Sequence, residues 1–309
     1  MLMKKHLAAL GILFAFLPRL GHSQSVSFAF LRTQVGARPA AMAGSVLALS
    51  KDPHAIFYNP AGIADMATRA GAFGYLNHIL DVQSFVGAYV HTHRQGSYGF
   101  GLHYTDYGTF QRTNKVGEDL GEFGAGSMVL YATYSRVHAE RWLLGASVKY
   151  FRSEIEQYTA DGVGLDVGVI YHSTIMGNLN IAGGIFNIGK ARTAYSTTKE
   201  KLPLNFQFGL AKRLAHLPLT WSAALVHFPD EDLRFRAGGE FEISQRFYLR
   251  FGYDNIGQDQ KLGTDSITER FAGVSLGFGI SYDRYLFDYA LSSFGEVGSL
   301  NRLSLSVTL

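Results

Sequence analysis

From about residue 72 to the C-terminus, apolar residues alternate with polar or small ones, segment after segment. A helix repeats every ~3.6 residues and a strand every two, so this pattern confines the chain to an all-β fold whose sheet has two unlike faces. Trp142, Leu144, Ala146, Val148 and Tyr150 point one way, and Gly145, Ser147 and Lys149 the other. Tyr98, Phe100, Leu102 and Tyr104 alternate with Gly99, Gly101 and His103. The chain closes on Leu303, Leu305, Val307 and Leu309, set between Arg302, Ser304, Ser306 and Thr308.

A soluble β-sandwich also alternates, and three details favour a transmembrane antiparallel barrel over it. First, the apolar face begins or ends in aromatics, as at Trp142 and Tyr150, Tyr98 and Tyr104, or Phe247 and Tyr253. Such girdles sit where lipid meets water. Second, the other face mixes glycine and small polar residues with Lys149, Asp166, Arg234, Arg236, Glu240, Arg250 and Asp288. A barrel encloses such a face as a polar lumen. Third, about fourteen strands are expected, near 72–79, 82–93, 97–106, 127–137, 141–152, 162–172, 178–187, 203–213, 218–227, 232–242, 246–254, 268–277, 279–290 and 301–309. The gaps after the first hairpin alternate short and long. Tyr107–Gly126, Ser153–Asp161, Ile188–Leu202 and Asn255–Ile267 read as outer loops, and an even count leaves both termini in the periplasm.

The first 23 residues have the order of an export signal. Lys4, Lys5 and His6 precede the apolar run Leu7–Leu17, too short to span a bilayer, and Pro18 ends it. Small residues at Gly21 and Ser23 place cleavage near Ser23/Gln24. A buried N-terminal helix is the alternative. Without Lys4, Lys5 and Arg19, the 28 basic residues fall to 25 and equal the 25 acidic ones. The basic character therefore belongs to the signal and makes no case for nucleic acid. The absence of cysteine excludes disulfides, thiolate metal sites and an N-terminal lipid-modified Cys.

Residues 24–71 lack the alternation. Ala37 to Gly44 is nearly all small residues, and Asn59-Pro60-Ala61-Gly62 reads as a capped helix start. A segment of this kind before a barrel is expected to fold inside it as a plug with short helices, the barrel proper being 72–309; a periplasmic tail or helical foot is the alternative. Ala-Arg-Pro-Ala-Ala-Met-Ala-Gly (37–44), Lys51-Asp52-Pro53 and Tyr58-Asn59-Pro60-Ala61-Gly62 together resemble the N-terminal hatch of FadL-type outer-membrane proteins. More closely, the chain resembles the PorV/PorQ group of that superfamily, through Phe30-Leu31, Arg38, Met42, Gly44, Asp52 and Asn59-Pro60-Ala61. Phe186-Asn187-Ile188-Gly189, Leu202-Pro203-Leu204, Gly238-Gly239-Glu240-Phe241, Leu249-Arg250-Phe251-Gly252-Tyr253 and Asp288-Tyr289-Ala290 continue it. Ala43, where that group often has Gly, and a terminal Leu309 in place of Phe are departures. The resemblance implies a fourteen-stranded outer-membrane barrel with a plug, and a role beside type IX secretion components or their cargo.

Catalytic chemistry is sparse. Ser196-Thr197-Thr198-Lys199 matches Ser-x-x-Lys without the partner motifs of acyl enzymes. His91 and His93 share a strand face but lack a third ligand, so no metal is expected. Asp230-Glu231-Asp232 reads as a solvated acidic loop tip rather than a calcium site. No cofactor is expected. Arg38 and Asp52 of the plug are expected to pair with lumenal charges. The main functional expectation is a non-catalytic component that delivers or attaches exported proteins through its outer loops. The alternative is a channel for hydrophobic, lipid-like small molecules.

Overall fold

The computed structural model describes residues 28–174, 177–195, 200–229, 231–258 and 266–309. The expected signal segment and its cleavage site, and Ser196–Lys199, lie outside the described residues. Fourteen antiparallel strands close into one barrel, each bonded to its sequence neighbours and the first to the last. They run β1 (Ala70–Asn77), β2 (Gln83–His93), β3 (Gly96–Thr113), β4 (Asp119–His138), β5 (Trp142–Ile155), β6 (Tyr158–Ser173) and β7 (Leu179–Ala191). The second half is β8 (Asn205–Arg213), β9 (Leu219–His227), β10 (Arg234–Ser244), β11 (Phe247–Asp254), β12 (Val274–Tyr282), β13 (Tyr285–Ser293) and β14 (Ser299–Thr308). None of the described helices is long and apolar enough to cross a membrane; the strands form the wall.

The period-two pattern explains the wall. Phe100, Val148, Phe251 and Leu303 all point outward and are exposed, while their neighbours Gly101, Lys149, Arg250 and Arg302 face the lumen. An apolar outer band of this kind suits lipid. At the end carrying the short turns, Tyr98 lies 5.2 Å from Tyr134 and Trp142 4.5 Å from Tyr171, ring centre to ring centre. The turn between β4 and β5 puts Ala139 and Glu140 at φ 48° and 63°, the left-handed pair of a tight hairpin.

The outer connections differ from the sequence expectation. Most of Tyr107–Gly126 is strand: β3 and β4 continue past a register shift between Asp106 and Thr109 and turn only at 114–118. The gap Ser153–Asp161 likewise shrinks to a turn at 156–157, and β7 runs on to Ala191. Above the lipid neither face is buried, so alternation fades although backbone pairing continues. A strand was also expected over 268–277, with its turn near Gly277–Gly279. Instead Ser266 caps a helical turn at Ile267–Arg270 by accepting from the Glu269 amide, and the β12–β13 turn comes at 283–284. Gly277 and Gly279 serve close approach, not a turn. The wall is consequently lopsided. At ~3.3 Å per residue, the 20 residues of β4 extend about 65 Å and the 8 of β11 about 26 Å.

Residues 28–69 lie within the lumen. Their elements are a 3-10 turn (Ala29–Arg32), the helix α1 (Ala37–Ala41) and 3-10 turns at Pro53–Phe57 and Pro60–Ile63. The core lies between this plug and the inner wall. Phe28, Phe30, Ile56 and Ile63 meet Val90, Val129 and Phe151 on one side, and Ala37, Ala40 and Ala41 meet Ala290 on the other.

Candidate functional site

The seat of the plug is cut from glycine. On one wall, a Cβ at Gly145 would lie 2.3 Å from the Ala61 nitrogen and the Pro60 carbonyl carbon. At Gly168 it would lie 2.0 Å from the Asn59 side-chain oxygen. On the other wall, Cβ atoms at Gly238, Gly252 and Gly277 would run into Met42, Ala43 and Ala41. The small-residue run 37–44 and the Asn59-Pro60-Ala61 corner thus press backbone and short side chains directly against the wall. Asn59 builds its own corner, accepting from the Ala61 amide at 3.1 Å and donating to the Leu47 carbonyl at 2.8 Å. Gly44 leaves α1 at φ +72°, a conformation that favours glycine.

Charge fastens what the glycines admit. Arg38 grips Glu240 of β10 with two parallel bonds of 2.8 and 3.0 Å and Asp52 of the plug at 2.9 Å. Glu240 also accepts from Arg250 of β11 at 2.6 Å, and Arg250 reaches Asp288 of β13 at 2.6 Å. Gly279 leaves room for that last pair, since a Cβ there would sit 2.5 Å from the Asp288 oxygen. Asp52 caps the turn at Pro53, accepting from the His54 amide at 2.8 Å and lying 3.0 Å from its ring nitrogen Nδ1. Burial raises the Asp52 carboxyl, but His54 and then Arg38 outweigh it and hold it well below the usual range. Bidentate arginine–carboxylate bonds out of bulk water are among the stronger polar contacts, so this chain is a latch between plug and three strands.

The remaining expected charges fall elsewhere in the same lumen. Lys149 of β5 pairs with Asp166 of β6 at 2.8 Å and also donates to Asn187. Arg236 meets Asp254 at 2.9 Å, and Arg234 meets Glu231. Asp52 pairs within the plug rather than with the wall. The acidic loop tip is corrected at Glu231, which is not solvated but half-buried, bridging Arg234 and Arg32 of the plug; Asp232 is exposed, and Asp230 lies outside the described residues. Both guanidiniums stand near the Phe228 ring, at 3.9 and 4.9 Å from its centre. His91 and His93 share the outward face at the short-turn end of β2.

Around the outer side of the plug opens a cavity of about 390 Å³. Arg32, Gln34 and Ala43 form its floor; Arg234, Arg236 and Arg302 line its walls; Ile256, Phe294 and Leu300 supply apolar surface. Sequence reasoning did not single out Arg32, Gln34, Asp254 or Arg302. Arg302 sits on the polar side of an alternating strand, which was the one available signal. The others needed the folded plug to bring them together.

No protein-family model and no curated protein matches the sequence. Solved structures do match. The Ralstonia pickettii toluene transporter TbuX superposes with a TM-score of 0.58 at 14% identity, over 88% of this chain and 96% of that one. A Pseudomonas aeruginosa FadL homologue gives 0.58 at 11%, over 89% and 99%. The monoaromatic hydrocarbon channel CymD gives 0.60 at 11%, over 92% and 99%. The chain has the fold of FadL-like outer-membrane barrels. At these identities the likeness concerns architecture: fourteen strands around an N-terminal plug. The latch and the cavity lie in the lumen of this barrel, and nothing in the matches singles out the PorV/PorQ group.

Proposed function

We propose that this FadL-like barrel is an outer-membrane channel for small, largely apolar molecules, which enter at the outer face of the plug. The observation that carries the reading is the 390 Å³ cavity at that face, bordered by Ile256, Phe294 and Leu300 and bounded below by a plug held through reversible contacts. Pockets that combine apolar lining with a few fixed polar groups are the usual form of small-molecule sites. Two of the named neighbours, a toluene transporter and a monoaromatic hydrocarbon channel, support the same class of cargo. The test is uptake of radiolabelled toluene by cells making the barrel, beside cells making a variant with Leu300→Arg in the cavity. Saturable uptake that the variant loses is expected; equal uptake by cells without the barrel would overturn the reading.

A second reading is a secretion-associated component that handles exported proteins. It is favoured by the hatch motifs and by the tall β3–β6 wall, which carries a paired sheet above the membrane where binding surfaces act on a rigid base. Deleting the gene and comparing secretomes separates the two, since only this reading expects exported proteins to build up in the periplasm.

A further inference from the structure

Outside the expected signal segment the chain's basic and acidic residues balance, but they are not spread evenly. Four of the six short turns carry an arginine: Arg94, Arg141, Arg246 and Arg284. Glu140 and Asp283 are the carboxylates in those turns among the described residues. The opposite end leans the other way. The outer part of β3 and β4 with its turn holds Asp106, Glu118, Asp119 and Glu122 against Arg112 and Lys115.

On the outward face of β2–β4 the basic end is most concentrated. His91, Tyr98 and Tyr134 stand in one row across the three strands. The next row toward the turns has His93, paired with Gly96, and Arg136, which follows the Ser97–Ser135 pair. His93, Arg94 and Arg136 are all exposed, and neither guanidinium has a partner among the described residues. His93 accepts from the Gln95 amide at 3.4 Å through Nδ1, which leaves Nε2 to donate. The carboxylate nearest along β3 on this face is Asp106, eight residues from Tyr98, or about 26 Å at ~3.3 Å per residue.

The height of these groups decides what they can meet. Tyr98 and Tyr134, with ring centres 5.2 Å apart, mark the edge of the apolar band. Arg136 comes two residues after Tyr134, about 6.6 Å further along the strand. That is the depth of lipid headgroups, and the short-turn end of such a barrel faces the periplasmic leaflet. The Tyr134 hydroxyl donates to the Gln95 carbonyl at 3.0 Å, and a Cβ on Gly96 would stand 2.9 Å from the Tyr134 ring. The ring therefore lies over Gly96 as an apolar floor between His93 and Arg136.

We infer that this face is a binding site for a net-anionic glycerophospholipid of the periplasmic leaflet, its phosphodiester held by Arg136, Arg94 and His93 and its acyl chains lying along Phe100 and Leu102. His93 and Arg136 are two strands apart, about 10 Å at ~4.8 Å per strand, so both side chains reach one phosphate. Guanidinium groups hold phosphate oxygens through charge-assisted bonds. A zwitterionic headgroup brings a cation with its phosphate, and the one carboxylate at this end of the three strands, Glu140, sits in the turn beyond Arg136. The site is outside the lumen and does not depend on what the barrel conducts.

The test is native mass spectrometry of the full chain in detergent with equal amounts of dioleoyl phosphatidylglycerol and dioleoyl phosphatidylcholine. Each cation beside an anionic lipid headgroup is worth about fivefold in binding. At least a fivefold excess of phosphatidylglycerol adducts is expected, falling to within twofold in Arg94→Gln/Arg136→Gln. Lys115→Gln/Lys201→Gln removes the same charge from the outer end and keeps the preference. Retention of the barrel's heat-modifiable gel mobility shows that each variant is folded. Equal adducts of the two lipids in the parent, an unchanged preference in Arg94→Gln/Arg136→Gln, or an equal loss in Lys115→Gln/Lys201→Gln would each overturn the assignment. Displacement of the lipid by a hundredfold excess of glycerol 3-phosphate would make this a site for free phosphate instead. Binding of a fluorescent glutamate decamer that Arg94→Gln/Arg136→Gln abolishes, with no preference between the lipids, would give the surface to an acidic protein.

Discussion

Replacing Gly145 by alanine isolates the steric fit between plug and wall. The added Cβ would stand 2.3 Å from the Ala61 nitrogen and the Pro60 carbonyl carbon, while ordinary contact begins near 3.4 Å. Backbone must therefore move by about 1.1 Å, the difference of those two distances. No flexible side chain can yield, because the opposing atoms belong to a corner that Asn59 pins at both ends. Overpacking of this kind costs about 1–3 kcal/mol. At ~1.4 kcal/mol per tenfold, the seated-to-unseated ratio falls about 5- to 140-fold. Gly87→Ala is the control: it makes the same chemical change in β2, where a Cβ would meet nothing within 4 Å. It also carries the same removal of glycine's chain entropy, about 0.5–1 kcal/mol in the stabilising direction. Amide hydrogen exchange over residues 59–64 reads the unseated population directly. Exchange at least fivefold faster in Gly145→Ala than in Gly87→Ala is expected. If the two exchange alike, the glycine seat does not hold the plug.

The buried charges of the plug and lumen make three further predictions. Arg38→Met leaves Asp52 to His54 and Glu240 to Arg250, so the cost is expected below the about 3–5 kcal/mol of a fully broken buried pair; the barrel's gel-shift unfolding temperature should fall, and an unchanged midpoint would show that the latch adds nothing. Lys149→Met should destabilise on the same scale by leaving Asp166 alone, whereas Lys149→Met with Asp166→Leu should recover most of the loss; a double variant as weak as the single one contradicts the pairing. The Asp52 carboxyl is lowered in the fold, so its contribution is complete above its unfolded value near ~3.9 and is lost only as pH falls below that. Plug protection measured by hydrogen exchange, corrected for intrinsic rates, should therefore stay level from pH 8 down to pH 5 so far as Asp52 governs it. Asp52→Asn should lower that plateau, and an unaltered plateau would remove Asp52 from the latch.

Within the membrane the chain's alternation carried most of the architecture. Lipid outside and a packed plug inside impose opposite demands on successive residues, so Phe100 beside Gly101 or Val148 beside Lys149 identifies strand and face together. Above the membrane that contrast vanishes, and the outer halves of β3 and β4 were legible only as loop. The hatch was visible as a composition, since a stretch of Ala, Gly and Pro suits close backbone contact, and Arg38 and Asp52 could be picked out within it.

The sequence by itself determined an all-β barrel, its lumenal face and the existence of a distinct N-terminal segment, because those follow from local period and residue size. Only the tertiary structure decided which charge meets which. Arg38 and Glu240 are 202 residues apart, and Arg302 and Gln34 268. Their meeting depends on how the plug threads the closed barrel and how glycines on opposite walls receive it. The same threading leaves Arg302 without a carboxylate partner among the described residues. An unpaired charge is a property of three-dimensional neighbourhood, and no local pattern in the chain encodes it.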